Sequence, residues 1–309
     1  MTINSEELFH ELKGEFNASF PSIPSQVFHT SKGVPYLKNP GTACIGRTMT
    51  SIDNMRDFLY GFDNDFPEYL LDSAIPEGKM FLDGAELCKT AGQLCYMSFG
   101  PNRTKNNDAE KYFNNVKQQK HGSILEHANF SFLFYGISRS LTHELVRHRA
   151  GFAYSQVSQR YVSGKTLRFV ERPEYQTTED NLHWIFERRI DDAHEDYHHI
   201  ADILIKMQKS GNDVLSAEAK TDLRKKVRQA ARSVLPNETE SPIIVTGNAR
   251  AWRHFLEMRA SEHAEVEIRE LAVRVFLCLY QIDPILFGDY QLEQLKDGTY
   301  ALSTEYRKV

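Results

Sequence analysis

Residues 128–135 (ANFSFLFY) constrain the fold more strongly than any other segment of this 309-residue chain. Phe130, Phe132 and Phe134 occur at every second position, and this two-residue alternation predicts a β-strand whose aromatic face is buried. Residues 138–147 follow with helical spacing and begin with a serine, which favours a helix start. A buried strand and a short helix are therefore expected directly before residues 147–160.

The rest of the chain contains more helical than strand patterns. Helical periodicity is found in residues 84–96, 107–120, 177–209, 217–233 and 249–280, and a second short strand is expected at residues 242–246. A few strands among many helices predict an α/β or α+β fold, and their order does not decide between the two. Residues 1–80 are mixed in pattern and rich in turn residues, so we interpret them as an N-terminal extension packed on a core formed by residues 81–309.

Residues 147–160 (RHRAGFAYSQVSQR) combine three arginines, a histidine and serine hydroxyls, and we expect them to surround one short loop. Arginine presents a planar, permanently charged fork that binds phosphate through two hydrogen bonds, and hydroxyls and loop amides can fill the remaining acceptor sites. This combination predicts binding of a phosphorylated ligand.

The charge balance limits the kind of ligand. The chain carries 37 Lys and Arg against 42 Asp and Glu, a formal net charge of −5, so the basic cluster is local. A nucleic-acid-binding module that uses Phe152 and Tyr154 for base stacking stays as an alternative, but a local cluster on an acidic chain favours a small anionic ligand.

Composition indicates a globular protein. Hydrophobic residues make up 41% of the chain, yet none of its apolar runs reaches the ~18 residues of a membrane span. The first residues lack the pattern of a secretory signal, and we expect a cytoplasmic location.

A second alternative comes from His194, Glu195 and His198, which match the H-E-x-x-H pattern of zinc metallopeptidases. Such helices are largely buried, whereas residues 191–196 are acidic and polar. We therefore expect no metal site and keep the zinc metallopeptidase only as an alternative.

The four cysteines show no C-x-x-C spacing and none lies beside a basic or phosphate-binding motif. Cys88 and Cys95 stand two helical turns apart among apolar residues, so we expect both to be small core residues. No reactive thiol is predicted.

Four blocks of the chain resemble, in the expected order, the signatures of the flavin-dependent thymidylate synthases. They are the segment 121–127 (HGSILEH), the segment 147–160 with its RHR and SxR elements, the segment 231–236 (ARSVLP), and the set formed by Asn248-Ala249-Arg250, Arg259 and His263-Ala264-Glu265. The spacing between RHR and SxR is one residue longer than is usual in that family. Four blocks in order are specific, whereas any one of them alone would be weak.

The resemblance implies both a fold and a reaction. The fold would be a central, mostly antiparallel sheet flanked by long helices. The reaction would be the reductive methylation of dUMP to dTMP in de novo dTMP biosynthesis, with FAD as redox carrier, NADPH as reductant and 5,10-methylenetetrahydrofolate as carbon donor. The enzyme would be a homotetramer with active sites shared between subunits.

The resemblance also implies roles for individual residues. The residues expected to hold FAD are Ser123, Arg147, His148, Arg149, Asn248, Arg250 and His254. Those expected around the nucleotide, whose phosphate would lie mainly on Ser158 and Arg160, are Glu144, Arg147, Gln156, Ser158, Gln159, Arg160, Arg232 and Arg259. Arg259 would be the catalytic residue, because a fixed guanidinium stabilises negative charge on the uracil ring as its C5 becomes nucleophilic.

Overall fold

The computed structural model describes residues 3–17, 20–70, 83–100, 109–161, 167–176, 181–210 and 220–309. The α-helices in these ranges are α1 (Ser5–Glu11), α2 (Arg56–Tyr60), α3 (Asp83–Tyr96), α4 (Ala109–Gln118), α5 (Arg139–Leu145), α6 (Leu182–Lys209), α7 (Lys220–Ala231), α8 (Ala249–Arg259), α9 (Val266–Ile282) and α10 (Pro284–Phe287). The strands are β1 (Glu15–Asn17), β2 (Phe20–Ile23), β3 (Val27–His29), β4 (Pro35–Leu37), β5 (Gly41–Arg47), β6 (Asn129–Tyr135), β7 (Phe152–Gln156), β8 (Phe169–Val170), β9 (Ile243–Asn248), β10 (Gln291–Gln294) and β11 (Tyr300–Ser303).

A six-stranded antiparallel sheet forms the centre of the molecule, with strand order β1-β2-β5-β6-β9-β7. Strand β6 is the aromatic segment singled out in the sequence, and it pairs with β5 on one side and β9 on the other. Two smaller sheets, β3-β4-β8 and β10-β11, complete the described topology. The expected mixed α/β fold with a mostly antiparallel sheet is confirmed.

One face of this sheet carries the main hydrophobic core. Phe130, Phe132 and Phe134 are 1%, 0% and 0% exposed, as the two-residue alternation predicts. Trp252 of α8 meets Phe132 edge-on, with 5.3 Å between ring centroids. Helix α9 lies in the same core and is buried around most of its circumference, so α8 and α9 cover the aromatic face of the sheet.

The helix predicted over residues 249–280 is in fact two helices. Helix α8 ends at Arg259 and α9 begins at Val266. Glu265 caps α9, since its Oε2 accepts a hydrogen bond from the amide of Ile268 at 3.2 Å. The prediction of one continuous helix was wrong because apolar periodicity continues on both sides of the turn. The break leaves Arg259 at the carboxyl end of α8.

The segment 147–160 is not one loop throughout. Residues 152–156 form β7, the edge strand that pairs with β9. Phe152 and Tyr154 are half-buried against the core, while Ala153 and Ser155 on the other face are exposed. The expectation of a single short loop was therefore wrong for these five residues.

The other predicted helices agree with the structure within the described ranges. Helix α3 begins one residue before the predicted segment 84–96 and ends with it. Helices α4, α6 and α7 lie inside the predicted segments, although the predicted starts at residues 107, 177 and 217 fall outside the described residues. None of the helices in the described ranges is long and apolar enough to cross a membrane.

Residues 3–70 contribute strands to two sheets. Strands β1, β2 and β5 belong to the six-stranded sheet, while β3 and β4 pair in the small sheet with β8. A second hydrophobic cluster joins this small sheet to α6 through Tyr36, Phe169 and Phe186. Strands β4 and β8 therefore pack against the long helix α6.

The cysteines are free thiols, and they differ in burial. Cys88 is fully buried, as expected, but Cys95 is exposed, so its predicted place in the core was wrong. Cys95 lies in the last turn of α3 between Leu94 and Tyr96, which are also exposed, because the end of this helix extends past the packed core.

Candidate functional site

Arg259 lies at the centre of a polar cluster between α5, α8 and the turn before β7. Its Nε donates a hydrogen bond to Nε2 of His148 at 2.9 Å, and its Nη1 donates to Oε2 of Glu144 at 2.7 Å. A guanidinium can only donate, so Nε2 of His148 must accept. His148 is therefore a neutral imidazole with its proton on Nδ1.

The surroundings of His148 favour this neutral form. Burial, then the positive charge of Arg259, then that of His254 lower the pKa of His148 to about 4. The ring meets Phe255 and His254 edge-on, at centroid distances of 5.5 Å and 5.9 Å. A neutral histidine and a carboxylate thus fix the guanidinium of Arg259 from two sides.

The turn that carries His148 has a constrained backbone. The Tyr154 hydroxyl lies within hydrogen-bond distance of the carbonyls of Leu145, at 3.0 Å, and His148, and burial raises the pKa of this phenol to about 12. Gly151 has φ +76, and a Cβ there would lie 2.8 Å from Cβ of Ala251. The turn between α5 and β7 is thereby held against α8.

Arg147 and Arg149 lie on either side of His148 in this turn, and both are exposed. Their guanidinium groups are therefore accessible to an anionic ligand.

A cavity of about 410 Å³ adjoins the turn. Asn248 caps α8 by accepting a hydrogen bond from the amide of Ala251 at 2.8 Å, and Asn248, Arg250 and His254 all line the cavity. Three of the residues predicted to hold FAD thus share one cavity, and the turn 147–149 leads directly into its wall at residues 150 and 151.

Ser123 is exposed in the short 3-10 helix Gly122–Glu126. The last residue of that helix, Glu126, lines the same cavity and pairs with Arg250 at 2.7 Å. This short helix therefore connects Ser123 to the wall of the cavity.

Two of the residues predicted to surround the nucleotide, Gln156 and Gln159, are hydrogen-bonded to side chains of α5. Arg139 Nη1 donates to Oε1 of Gln159 at 2.9 Å, and Gln156 Nε2 lies 3.4 Å from Oγ1 of Thr142. Within the described part of the chain, Nε2 of Gln159 and Nε of Arg160 are buried and have no hydrogen-bond partner. Buried donors without acceptors are costly, so these two atoms fit a site that an anionic ligand completes.

Arg232 stands apart from these groups. It begins the short 3-10 helix Arg232–Val234, and none of the hydrogen bonds between described residues joins its side chain to Arg160 or Arg259. Single-chain geometry thus brings together Glu144, His148 and Arg259, and it places Asn248, Arg250 and His254 of the predicted FAD set around one cavity. It does not bring the whole predicted nucleotide set together.

The structure also shows contacts that sequence reasoning missed. Arg139 and Thr142 contact Gln159 and Gln156, two residues predicted to surround the nucleotide, and their spacing of three residues on a predicted helix was the signal that could have identified them. Tyr306 and Lys308 line the cavity, and they carry no motif.

The histidines of the H-E-x-x-H pattern lie on α6, with 4.6 Å between the ring centroids of His194 and His198. Glu195 is exposed and pairs with Lys32 at 3.7 Å. Among the residues that the structure describes, no group of three or more His, Cys, Asp or Glu side chains could hold a metal ion. The geometry gives the metallopeptidase alternative no support.

Comparison with known proteins agrees with the geometry. Residues 79–285 match the family model described as "Thymidylate synthase complementing protein". A flavin-dependent thymidylate synthase from Mycobacterium tuberculosis (strain ATCC 25618 / H37Rv) is 45% identical over 216 residues, covering 70% of this chain and 83% of the relative. One from Corynebacterium efficiens is 46% identical over 227 residues, covering 72% and 86%.

A solved structure shares the fold. The UMP/dUMP methylase PolB from Streptomyces cacaoi, bound with 5-Br dUMP, superposes with a TM-score of 0.51 over 81% of this chain and 94% of that one, at 18% sequence identity. The family match and these relatives define the class of protein, a thymidylate synthase. The chain belongs to the flavin-dependent thymidylate synthase family.

Proposed function

We propose that this chain catalyses the reductive methylation of dUMP to dTMP, with FAD as bound flavin, NADPH as reductant and 5,10-methylenetetrahydrofolate as carbon donor. The observation that carries the proposal is the Arg259 guanidinium, held by neutral His148 and by Glu144 next to residues expected to bind FAD. Such a fixed charge is suited to stabilise an anion that develops during a reaction.

The residues around the cavity fit FAD. Asn248, Arg250 and His254 line it, and the turn with Arg147 and Arg149 adds accessible cations for a diphosphate. When bound, the flavin supplies the redox chemistry of the reaction. The protein residues bind it and orient it beside Arg259.

Arg259 acts on the uracil ring in this proposal. Among the described residues its Nη2 makes no hydrogen bond, while Nε and Nη1 are already fixed. The guanidinium can therefore stabilise negative charge on the N3 and carbonyl system of uracil, which makes C5 nucleophilic without proton transfer by the protein.

The cysteines support a mechanism without a protein nucleophile. Burial raises the pKa of the Cys44 thiol to about 11 and that of Cys88 to about 12, and it raises the pKa of Cys278 as well. These three thiols stay protonated, and a protonated thiol is a poor nucleophile. Cys95 is exposed at the end of α3, and none of the hydrogen bonds or ion pairs between described residues joins it to a candidate site residue.

The phosphate of dUMP would lie on Arg160 and Ser158. Its oxygens would accept from the Nε of Arg160 and the Nε2 of Gln159, which have no partner among the described residues. Glu144, Arg147, Gln156 and Arg232 would surround the remainder of the nucleotide.

We further propose a homotetramer with shared active sites. Leu133 of β6 pairs with Ile244 of β9 on the sheet face opposite the aromatic core, and Ile244 is 40% exposed there. Apolar side chains exposed on a sheet face favour association, and a symmetric assembly could bring Arg232 of one copy to the site of another.

We also propose that the protein is cytoplasmic and that residues 1–80 form an N-terminal extension of a synthase domain at residues 81–309. The division is supported by the family match, which begins at residue 79. The pairing of β5 with β6 supports packing of the N-terminal extension on the core.

The test is made with purified protein. FAD should change its fluorescence on binding, NADPH oxidation should be stimulated by dUMP, and dTMP should form when 5,10-methylenetetrahydrofolate is added. A protein that leaves flavin fluorescence unchanged and consumes no NADPH would contradict the proposal.

A further inference from the structure

The C-terminal segment, residues 304–309, forms part of the wall of the cavity although it lies outside the region matched by the family model. Val309 is buried, and a Cβ on Gly122 would collide with its main chain. Thr304 donates to Oδ2 of Asp289 at 2.6 Å. The segment is therefore packed closely against both the 3-10 helix 122–126 and the core.

This segment orients Arg250. Nε of Arg250 lies 3.3 Å from the main-chain oxygen of Val309, while its Nη1 donates to Glu126 at 2.7 Å. The guanidinium is thus held between the 3-10 helix and the C-terminal segment.

Lys308 is the cation that this segment adds to the cavity. Its amide donates to Oε2 of Glu257 at 3.1 Å, which fixes the backbone beside α8, and its side chain is exposed. Among the described residues its ammonium group makes no ion pair. Arg253, another cation of the wall, already donates two hydrogen bonds to Asp289, at 2.7 Å and 2.8 Å.

We infer that residues 304–309 form a wall of the flavin cavity and that Lys308 is a further binding residue for the diphosphate of a dinucleotide cofactor. The inference rests on the proposed function, because it takes FAD as the occupant. Lys308 lines the same cavity as Arg250, and a cation without an ion-pair partner among the described residues provides the charge that a diphosphate needs.

The test measures FAD affinity by titration of flavin fluorescence in wild type and in the Lys308→Ala, Lys308→Glu and Lys308→Arg variants. Lys308→Ala should weaken binding by about threefold to tenfold, since one partly exposed charged contact is lost. Lys308→Glu should weaken it further, and Lys308→Arg should stay within about twofold of wild type. The difference in FAD affinity between wild type and these variants should become smaller as the salt concentration is raised.

Lys296→Glu is the matched control. Lys296 is exposed, lies between β10 and β11 and does not line the cavity, so this variant makes the same charge change elsewhere. Lys296→Glu should bind FAD within about twofold of wild type. Thermal melting without FAD checks that each variant is folded.

The outcomes separate the inference from the proposed function. Wild-type FAD binding with unchanged affinity in Lys308→Ala and Lys308→Glu, or an equal loss in Lys296→Glu, overturns the role of Lys308 and leaves the function standing. Failure of the wild type to bind FAD overturns the proposed function and this inference with it.

Discussion

The low pKa of His148 predicts a loss of stability in acid that can be assigned to a single residue. Burial and the neighbouring charges of Arg259 and His254 lower the pKa from 6.5 to about 4 in the folded protein. Between these values the unfolded chain binds a proton that the folded chain does not. The free energy of unfolding therefore falls as pH decreases from about 6.5 towards 4, and it is fully retained above that window.

The size of the effect follows from the two pKa values. Between pH 7.5 and pH 5.0 the linkage relation gives about 2 kcal/mol for an unscreened group. Solvent reaches part of the His148 ring, so we reduce this to about 1 kcal/mol. The substitution His148→Gln removes the titration and keeps an acceptor for Arg259.

The assay is urea unfolding of the FAD-free protein at pH 7.5 and pH 5.0. Wild type should lose about 1 kcal/mol more stability between the two pH values than His148→Gln does. His263→Gln is the control, because the side chain of His263 is 87% exposed and it should behave like wild type. Equal acid losses in wild type and His148→Gln would refute the neutral-imidazole interpretation.

Three other predictions concern the thiols, the turn and the assembly. Replacing all four cysteines by alanine or serine should leave dTMP formation per folded, flavin-loaded subunit within about twofold, and a folded Cys95 or Cys278 variant that makes no dTMP would contradict the nucleophile-free mechanism. Gly151→Ala should lower the free energy of unfolding in urea by about 2–3 kcal/mol, and Gly33→Ala by about 1 kcal/mol. Both glycines have a positive φ, but a Cβ has room only at Gly33. Equal losses in the two variants would contradict this account. If active sites are shared between subunits, reassociated mixtures of inactive alanine variants at Arg160, Arg232 and Arg259 should regain partial activity in at least one pairing. No recovery in any pairing, despite subunit exchange shown by mass spectrometry, would exclude shared sites.

The parts of the fold that could be predicted are those in which one face of an element is buried. The alternation of Phe130, Phe132 and Phe134 identifies β6 because each of these side chains is buried on the same face. The break after Arg259 escapes this reasoning, since capping by Glu265 changes the backbone without changing the apolar periodicity.

The site could be predicted only where a motif marks it. The RHR segment identified His148 and the cation-rich turn, but its bond to Arg259 joins residues 111 positions apart and no local pattern shows it. The place of Lys308 in the cavity wall and the packing of Val309 on Gly122 are produced by folding, and no sequence motif marks them. Tertiary contacts between distant segments are therefore what the sequence reasoning lacked.

The most direct test of the central claim is transfer of an isotope-labelled carbon from 5,10-methylenetetrahydrofolate to dTMP by FAD-loaded wild type, Arg259→Lys and Arg259→Ala. The account predicts transfer by wild type and a loss of at least about 100-fold in Arg259→Ala with FAD still bound, because the fixed charge beside the uracil ring is absent. Arg259→Lys should also be strongly impaired, since one ammonium cannot contact His148, Glu144 and the substrate as the guanidinium does. Transfer at the wild-type rate by flavin-loaded Arg259→Ala would contradict the account.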